Sequence, residues 1–273
     1  MYPGLYTTSY DEKKLIIYTQ IQAGMIVFDS GNLSTAATTY FNAFNELLES
    51  RTVPDNLDLQ PSILNIPNVG TVFSVTFVWA GPRDDRAKEW QAIISALAPV
   101  MMSTVKTTTL ATYVAEITSV IPPVMYPGIC RTVSLRDLRL SNSAIETFAR
   151  YAELQPKTAG LMTFHSMHGS FAGSPPMPSI FRNREAHYML EIIGLSVVPE
   201  GGEEEKIWAN RFGDEMGKAE GNLESTYLPL TPTELVDLKK VYGEHLDKLV
   251  ALKKEVDPKN VFRHTLPELR GWL

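Results

Sequence analysis

Apolar positions cluster in runs whose spacing sorts them into strands and helices. The stretch 14–29, KLIIYTQIQAGMIVFD, is rich in β-branched and aromatic residues and stops at Ser30-Gly31-Asn32. It predicts a long strand bent at Gly24. Ala37, Tyr40, Phe41, Phe44, Leu47 and Leu48 then recur at helical spacing, with Ser34 as the expected N-cap. Residues 53–61, with their Pro and Asp, predict a loop. The run 69–80, VGTVFSVTFVWA, predicts a second long strand or strand pair ended by Gly81-Pro82. Asp84 or Asp85 opens a second helix carrying Ala87, Trp90, Ile93, Ile94 and Leu97, stopped by Pro99.

The middle of the chain is more ambiguous. The Thr- and Val-rich stretch 104–120 fits strand or helix, and the prolines and glycine of 121–128 predict a loop. Residues 142–154 predict a helix with Ile145, Phe148 and Tyr151 or Ala152 on one face. Strands are expected at 160–168 and 186–198, joined by a Gly/Pro/Ser-rich connector at 169–178. A helix follows at 203–217, its acidic start suited to the helix dipole. Thr231-Pro232-Thr233-Glu234 has capping-box spacing and opens a helical region to 256, with a break at Gly243 and a stop at Asp257-Pro258. Strands and helices mix without regular alternation, repeats or a linker. The expected fold is α+β, a large antiparallel sheet with helices on one face, in a single domain over 1–273.

Composition narrows the function classes. The 273 residues are 44% apolar, ordinary for a globular chain and unlike a disordered one. One cysteine excludes an internal disulfide or a cysteine metal cluster. A net charge of −6 gives no broad basic footprint, so no nucleic acid partner is expected. No apolar run approaches the roughly 20 residues a membrane helix needs, so no membrane partner is expected and a cytoplasmic location is the default.

Candidate chemistry is sparse. Neither a G-x-G-x-x-G nor a G-x-x-x-x-G-K-[ST] phosphate loop occurs, and there is no G-x-S-x-G elbow. His165 and His168 lie three apart on a strand, where side chains point to opposite faces, so they do not form a metal pair. His168, at the strand end beside Gly169, keeps a binding role open. Cys130, in the expected apolar loop, lacks a neighbouring base. On the 186–198 strand, His187, Met189, Glu191 and Ile193 share one face, and Tyr188, Leu190 and Ile192 the other. A carboxylate in so apolar a strand must be paired, at an edge, or facing a cavity. Glu191 is therefore either a salt-bridge partner, for instance of Arg182 or Arg184, or a general base lining a pocket with His187 and Met189.

The C-terminal stretch 242–263, from Tyr242-Gly243 through Asp257-Pro258-Lys259-Asn260 to Phe262-Arg263, closely resembles the C-terminal segment of berberine bridge enzyme-like, FAD-linked oxidases. Weaker matches precede it in order: His168-Gly169 with Phe181 and Arg184, and Ile207-Trp208-Ala209. The resemblance implies the family's substrate or cap domain, with 231–273 as the berberine-type segment. It also implies a separate N-terminal domain that holds FAD through a Gly-rich loop. That domain is not found in this sequence.

By the same resemblance, Asn260 and Tyr242 take flavin-facing positions. Tyr227, in Thr226-Tyr227-Leu228-Pro229, is a loose stand-in for the family's Tyr-x-Asn-Tyr. The expected function is the substrate-binding portion of a flavin-dependent oxidation of a small, secondary-metabolite-like molecule. Glu191 and Tyr227 are the expected catalytic residues, and His168, His187 and Met189 the substrate contacts. FAD is not expected to bind this chain alone. A separate FAD-binding chain or self-association would complete it. Two other readings stand beside this one: a flavin-independent binding protein, isomerase or cyclase, and an interaction subunit.

Overall fold

The computed structural model describes residues 20–66, 69–120, 126–157, 160–169, 172, 183–196, 198–199, 202–267, 269 and 271. Its elements are β1 (Ile21–Phe28), α1 (Leu33–Ser50), β2 (Leu57–Ile66), β3 (Gly70–Ala80), α2 (Asp85–Ser95), β4 (Val100–Ser103), β5 (Lys106–Thr108), α3 (Leu110–Val120), β6 (Tyr126–Arg136), α4 (Asn142–Glu153), β7 (Leu161–Met167), β8 (His187–Ser196), α5 (Glu203–Met216), α6 (Leu238–Tyr242) and α7 (Leu246–Val256). The strands form one sheet in the order β4-β1-β3-β2-β7-β8-β6, with β5 also on β1, and every strand pairing is antiparallel. This is the expected α+β architecture.

Period-two alternation gives the sheet two unlike faces. Phe28, Phe73, Phe77, Trp79, Phe164, Tyr188 and Leu190 point to one face and are fully or almost fully buried. Helices α1, α2, α4 and α5 cover that face. Phe41 of α1 sits among Phe73, Phe148 and Phe164, with ring centroids 6.0, 5.5 and 5.4 Å away. Helix α5 packs close on β8 because Gly194 has no side chain. A Cβ there would lie 2.6 Å from both Ala209 Cβ and the Glu205 carbonyl oxygen.

Several expectations are corrected. The loop at 53–61 is in large part β2, with Pro61 opposite Val75 of β3. Amides two apart on a strand point to the same edge. Leu59 N–H points toward β7 and donates to the Ser166 hydroxyl, so the missing Pro61 N–H falls where the β2–β7 ladder has already opened. The predicted 121–128 loop gives way to β6 from Tyr126. A register shift between Tyr126 and Ile129 absorbs Pro127-Gly128, and Cys130 therefore stands on a strand opposite Ile193. The 104–120 stretch holds both alternatives, strand β5 and helix α3.

Helix ends also differ from expectation. Asn32, not Ser34, caps α1 by accepting from Thr35 N–H at 2.6 Å. The capping box at Thr231 does not form. Its hydroxyl is drawn into a side-chain cluster, and α6 starts instead behind Asp237, which accepts from Lys239 N–H and Lys240 N–H. In the acidic run opening α5, Glu205 is buried and accepts the Gly202 amide at 2.6 Å. Residues 14–19, 121–125 and most of the 169–178 connector lie outside the described residues.

One helix departs from the expected one-sided arrangement. Tyr113 of α3 comes close to the side chain of Thr76, which points to the face opposite the aromatic core. The C-terminal segment is also distinct. Val241, Tyr242, Leu246 and Leu269 form a small apolar cluster of their own, packed by Leu228, Val236 and Leu249. Among the described residues no helix is long and apolar enough to cross a membrane.

Candidate functional site

The second face of the sheet carries a row of side chains in register. Val27, Ser74, Ser62, Thr163, Glu191 and Thr132 stand opposite one another across β1, β3, β2, β7, β8 and β6. Five of the six are polar, on a sheet whose other face is almost wholly apolar. Alternation on β8 puts Glu191 here with Met189 and His187, as the sequence predicts. On β7 it puts Thr163 and His165 here and sends Met162 and Phe164 into the core.

Glu191 and His165 are diagonal neighbours across the β7–β8 ladder, and Glu191 Oε2 lies 2.9 Å from His165 Nε2. The Glu191 side chain keeps 14% of its exposure and that of His165 29%. The carboxylate is thus paired, but by a histidine rather than an arginine. Arg182, one of the two arginines considered, lies outside the described residues. Cys130 sits beside this pair, and burial, then the Glu191 charge, pushes its thiol up, away from a reactive thiolate.

Two elements flank the row. On one side is α3 with Tyr113, whose phenol is pushed up by burial first and the Asp58 carboxylate second. Asp58 in turn accepts from Gln60 at 2.7 Å and Ser166 at 2.6 Å. On the other side the chain 226–231 folds over β6. The hydroxyls of Thr132, Thr226 and Thr231 hydrogen-bond one another, and Tyr227 N–H donates to Thr132 Oγ1 at 2.7 Å. This cluster is what takes Thr231 away from helix capping. Tyr227 is exposed at the rim, beside the row.

The remaining expected site residues go elsewhere. His168 is held at the end of β7 by backbone carbonyls, with Nε2 3.3 Å from Pro54 O and Nδ1 3.4 Å from Ser166 O. The two histidines of His165-Ser166-Met167-His168 diverge, as alternation requires. His187 is buried, with Nδ1 2.7 Å from Glu185 O, and burial lowers its basicity. Tyr242 is buried in the C-terminal cluster. Asn260 adopts a positive φ of 49°, a conformation asparagine tolerates, in a turn built around Asp257. Asp257 bonds Lys253 and accepts the amides of Val261 and Phe262, and these partners hold its carboxyl below the usual range.

Asp-Pro-x-Asn is therefore explained here by local structure. Among the described residues Tyr242 lies in the C-terminal apolar cluster and Asn260 in the Asp257 turn. No group of three or more His, Cys, Asp or Glu that could hold a metal ion occurs among the described residues. A separate cleft of about 530 Å³ opens on the C-terminal segment, lined chiefly by Leu228, Val236, Leu238, Leu266 and Pro267.

Comparison with known proteins bears on the fold and on the C-terminal segment. Residues 236–267 match the family described as berberine and berberine like. The FAD-linked oxidoreductase aurO of Gibberella zeae is 30% identical over 253 residues, covering 89% of this chain and 46% of that protein. The chain is a partial relative of the berberine bridge enzyme-like, FAD-linked oxidoreductases. It spans about half the length of the curated relative it matches.

Solved structures of that family share the fold. BBE-like 1 of Physcomitrella patens superposes with a TM-score of 0.69 at 13% identity, over 89% of this chain and 53% of that one. The 6-hydroxy-D-nicotine oxidase of Arthrobacter nicotinovorans gives 0.67 at 17% identity, over 92% and 55%. The berberine-type motif of the sequence is thus matched, and the sheet before it has the fold of these oxidases.

Sequence reasoning found Glu191 but not its partner. Alternation on 160–168 was the available signal for His165, since it places that residue among Leu161, Thr163 and Met167 and away from Phe164. The pairing itself depends on the register between β7 and β8, which no local pattern encodes.

Proposed function

We propose that the second sheet face is the substrate-binding surface for a flavin-dependent oxidation of a small organic molecule. The observation that carries this reading is the Glu191–His165 pair, set within a polar row on the sheet face opposite the aromatic core and flanked by Tyr113 and Tyr227. A partly buried carboxylate with a histidine partner suits proton acceptance from a bound substrate. The threonines and Met189 beside it supply shape and weak polar contacts. Flavin, when bound, supplies the electron acceptor.

In this reading the described residues do not by themselves hold flavin. Tyr242 is occupied in an apolar cluster, Asn260 serves a turn, and the sequence has no glycine-rich phosphate loop. In this reading flavin is held by protein other than these 273 residues, either on a longer polypeptide or as a separate chain. This chain binds and orients the substrate and takes up its proton.

The test is a flavin titration of the purified chain, run beside its co-expression with the flavin-binding half of a relative. The chain alone is expected to hold no stoichiometric flavin, and the co-expressed pair to purify as a yellow complex. Stoichiometric flavin on the chain alone would contradict the division of labour. Two halves that fold but do not associate would contradict the reading as a whole.

A further inference from the structure

Glu191 has two carboxylate oxygens, and the described residues engage one of them. Oε2 meets His165 Nε2 at 2.9 Å, and no described group hydrogen-bonds Oε1. An ionised carboxylate only accepts, so the tautomer that pairs with it carries its proton on Nε2. The surroundings limit what else could engage the acid. Thr163 and Thr132 stand opposite it on the two flanking strands, and the Thr132 hydroxyl is already committed to Thr226, Thr231 and Tyr227 N–H. Cys130 is a thiol held neutral by burial. His165 is itself framed by Met189, its cross-strand neighbour.

A glutamate carries three side-chain torsions. A group that pins one oxygen removes most of that freedom and fixes where the other oxygen points. We propose that His165 is a positioning residue for Glu191: by holding Oε2 it leaves Oε1 as the single, oriented acceptor for an O–H donor on a small organic ligand. This rests on the reading of the second face as the substrate surface, and adds to it a residue and a ligand requirement. A hydroxyl reaching Oε1 makes a charge-assisted hydrogen bond, and a ligand of the same shape without the hydrogen leaves the acceptor unpaired.

The experiment uses two probes of nearly equal shape, 2-naphthol and 2-methoxynaphthalene, against the whole chain. Binding is followed by amide chemical shifts in the wild type, His165→Leu, His165→Gln and Glu191→Gln. The wild type is expected to prefer 2-naphthol about tenfold. His165→Leu and Glu191→Gln are expected to bind both probes alike. His165→Gln, whose amide can still donate to Oε2, restores the preference. The ¹⁵N signal of His165 Nε2 carries a bound proton in the wild type and changes in Glu191→Gln, a signature that a packing role alone would not move.

An undiminished preference in folded His165→Leu overturns the positioning role. Equal affinity of both probes for the wild type, with shifts on β7 and β8, overturns this inference while the substrate surface stands. Binding of neither probe to that face overturns both.

Discussion

Strand β8 passes between two environments. On one side Tyr188, Leu190 and Ile192 are buried in the aromatic core, with Phe164 of β7 against Tyr188 and helix α5 packed over the strand. On the other, Met189 and Glu191 lie in a row of hydroxyls and a carboxylate, and Glu191 is answered by a single imidazole. The helix-backed face holds the sheet together, because it buries large apolar surface at native density. The second face carries the polar row, where Glu191 engages His165 through one carboxylate oxygen. Substitutions on the two faces should separate accordingly, stability from binding.

The largest expected effect is on the backed face. Phe41→Ala removes a ring that touches Tyr40, Phe73, Phe148 and Phe164, and should cost about 3–5 kcal/mol by urea unfolding. A loss below about 1 kcal/mol would mean that this core is not the main store of stability. Next comes Gly194→Val, which drives a side chain into the Glu205 backbone and Ala209. It should cost roughly 1–3 kcal/mol and loosen α5, seen as faster amide exchange over Glu203–Met216.

Crossing to the second face should shrink the effect. Glu191→Gln keeps an oxygen that can accept from His165, and should shift stability by less than about 1 kcal/mol while removing the preference for a hydroxyl probe. If it instead unfolded the chain, the two faces would not divide stability and binding as argued.

The smallest effect sharpens the boundary between the faces. His187 lies on the second face but is buried, and burial lowers its basicity in the folded state. On acidification below the ordinary histidine value the unfolded chain binds a proton that the folded chain resists. Stability should therefore fall as pH drops through that window and be fully present above it. His187→Gln should flatten this limb of the stability profile. An unchanged slope would show that the imidazole is not the group responsible.

Legibility followed the range of the interactions concerned. Alternation along β3 and β8, and the 3.6-residue spacing of Tyr40, Phe41 and Phe44, are local patterns and transferred directly to the fold. Pro61 and Pro127-Gly128 concealed two strands, because a proline's cost depends on whether its missing donor faces a partner. At Pro61 it does not, and at Pro127 a bulge takes it up. Thr231 had capping chemistry, but a long-range hydroxyl cluster with Thr132 claimed it. Glu191 was legible as a carboxylate in an apolar strand. Its partner was not, since His165 is 26 residues away and meets it only through strand register. Tyr242 and Asn260 came from a motif, and the structure gives that motif a local reading through Asp257.

The central claim is that small molecules bind on the second face. Its most direct test is where a small aromatic alcohol perturbs the amide spectrum of the whole chain. Titration with 2-naphthol should move the resonances of Thr163, His165, Met189 and Glu191, together with Thr132 at the rim. Shifts confined to Leu228, Val236, Leu238 and Leu266, which line the C-terminal cleft, would contradict it.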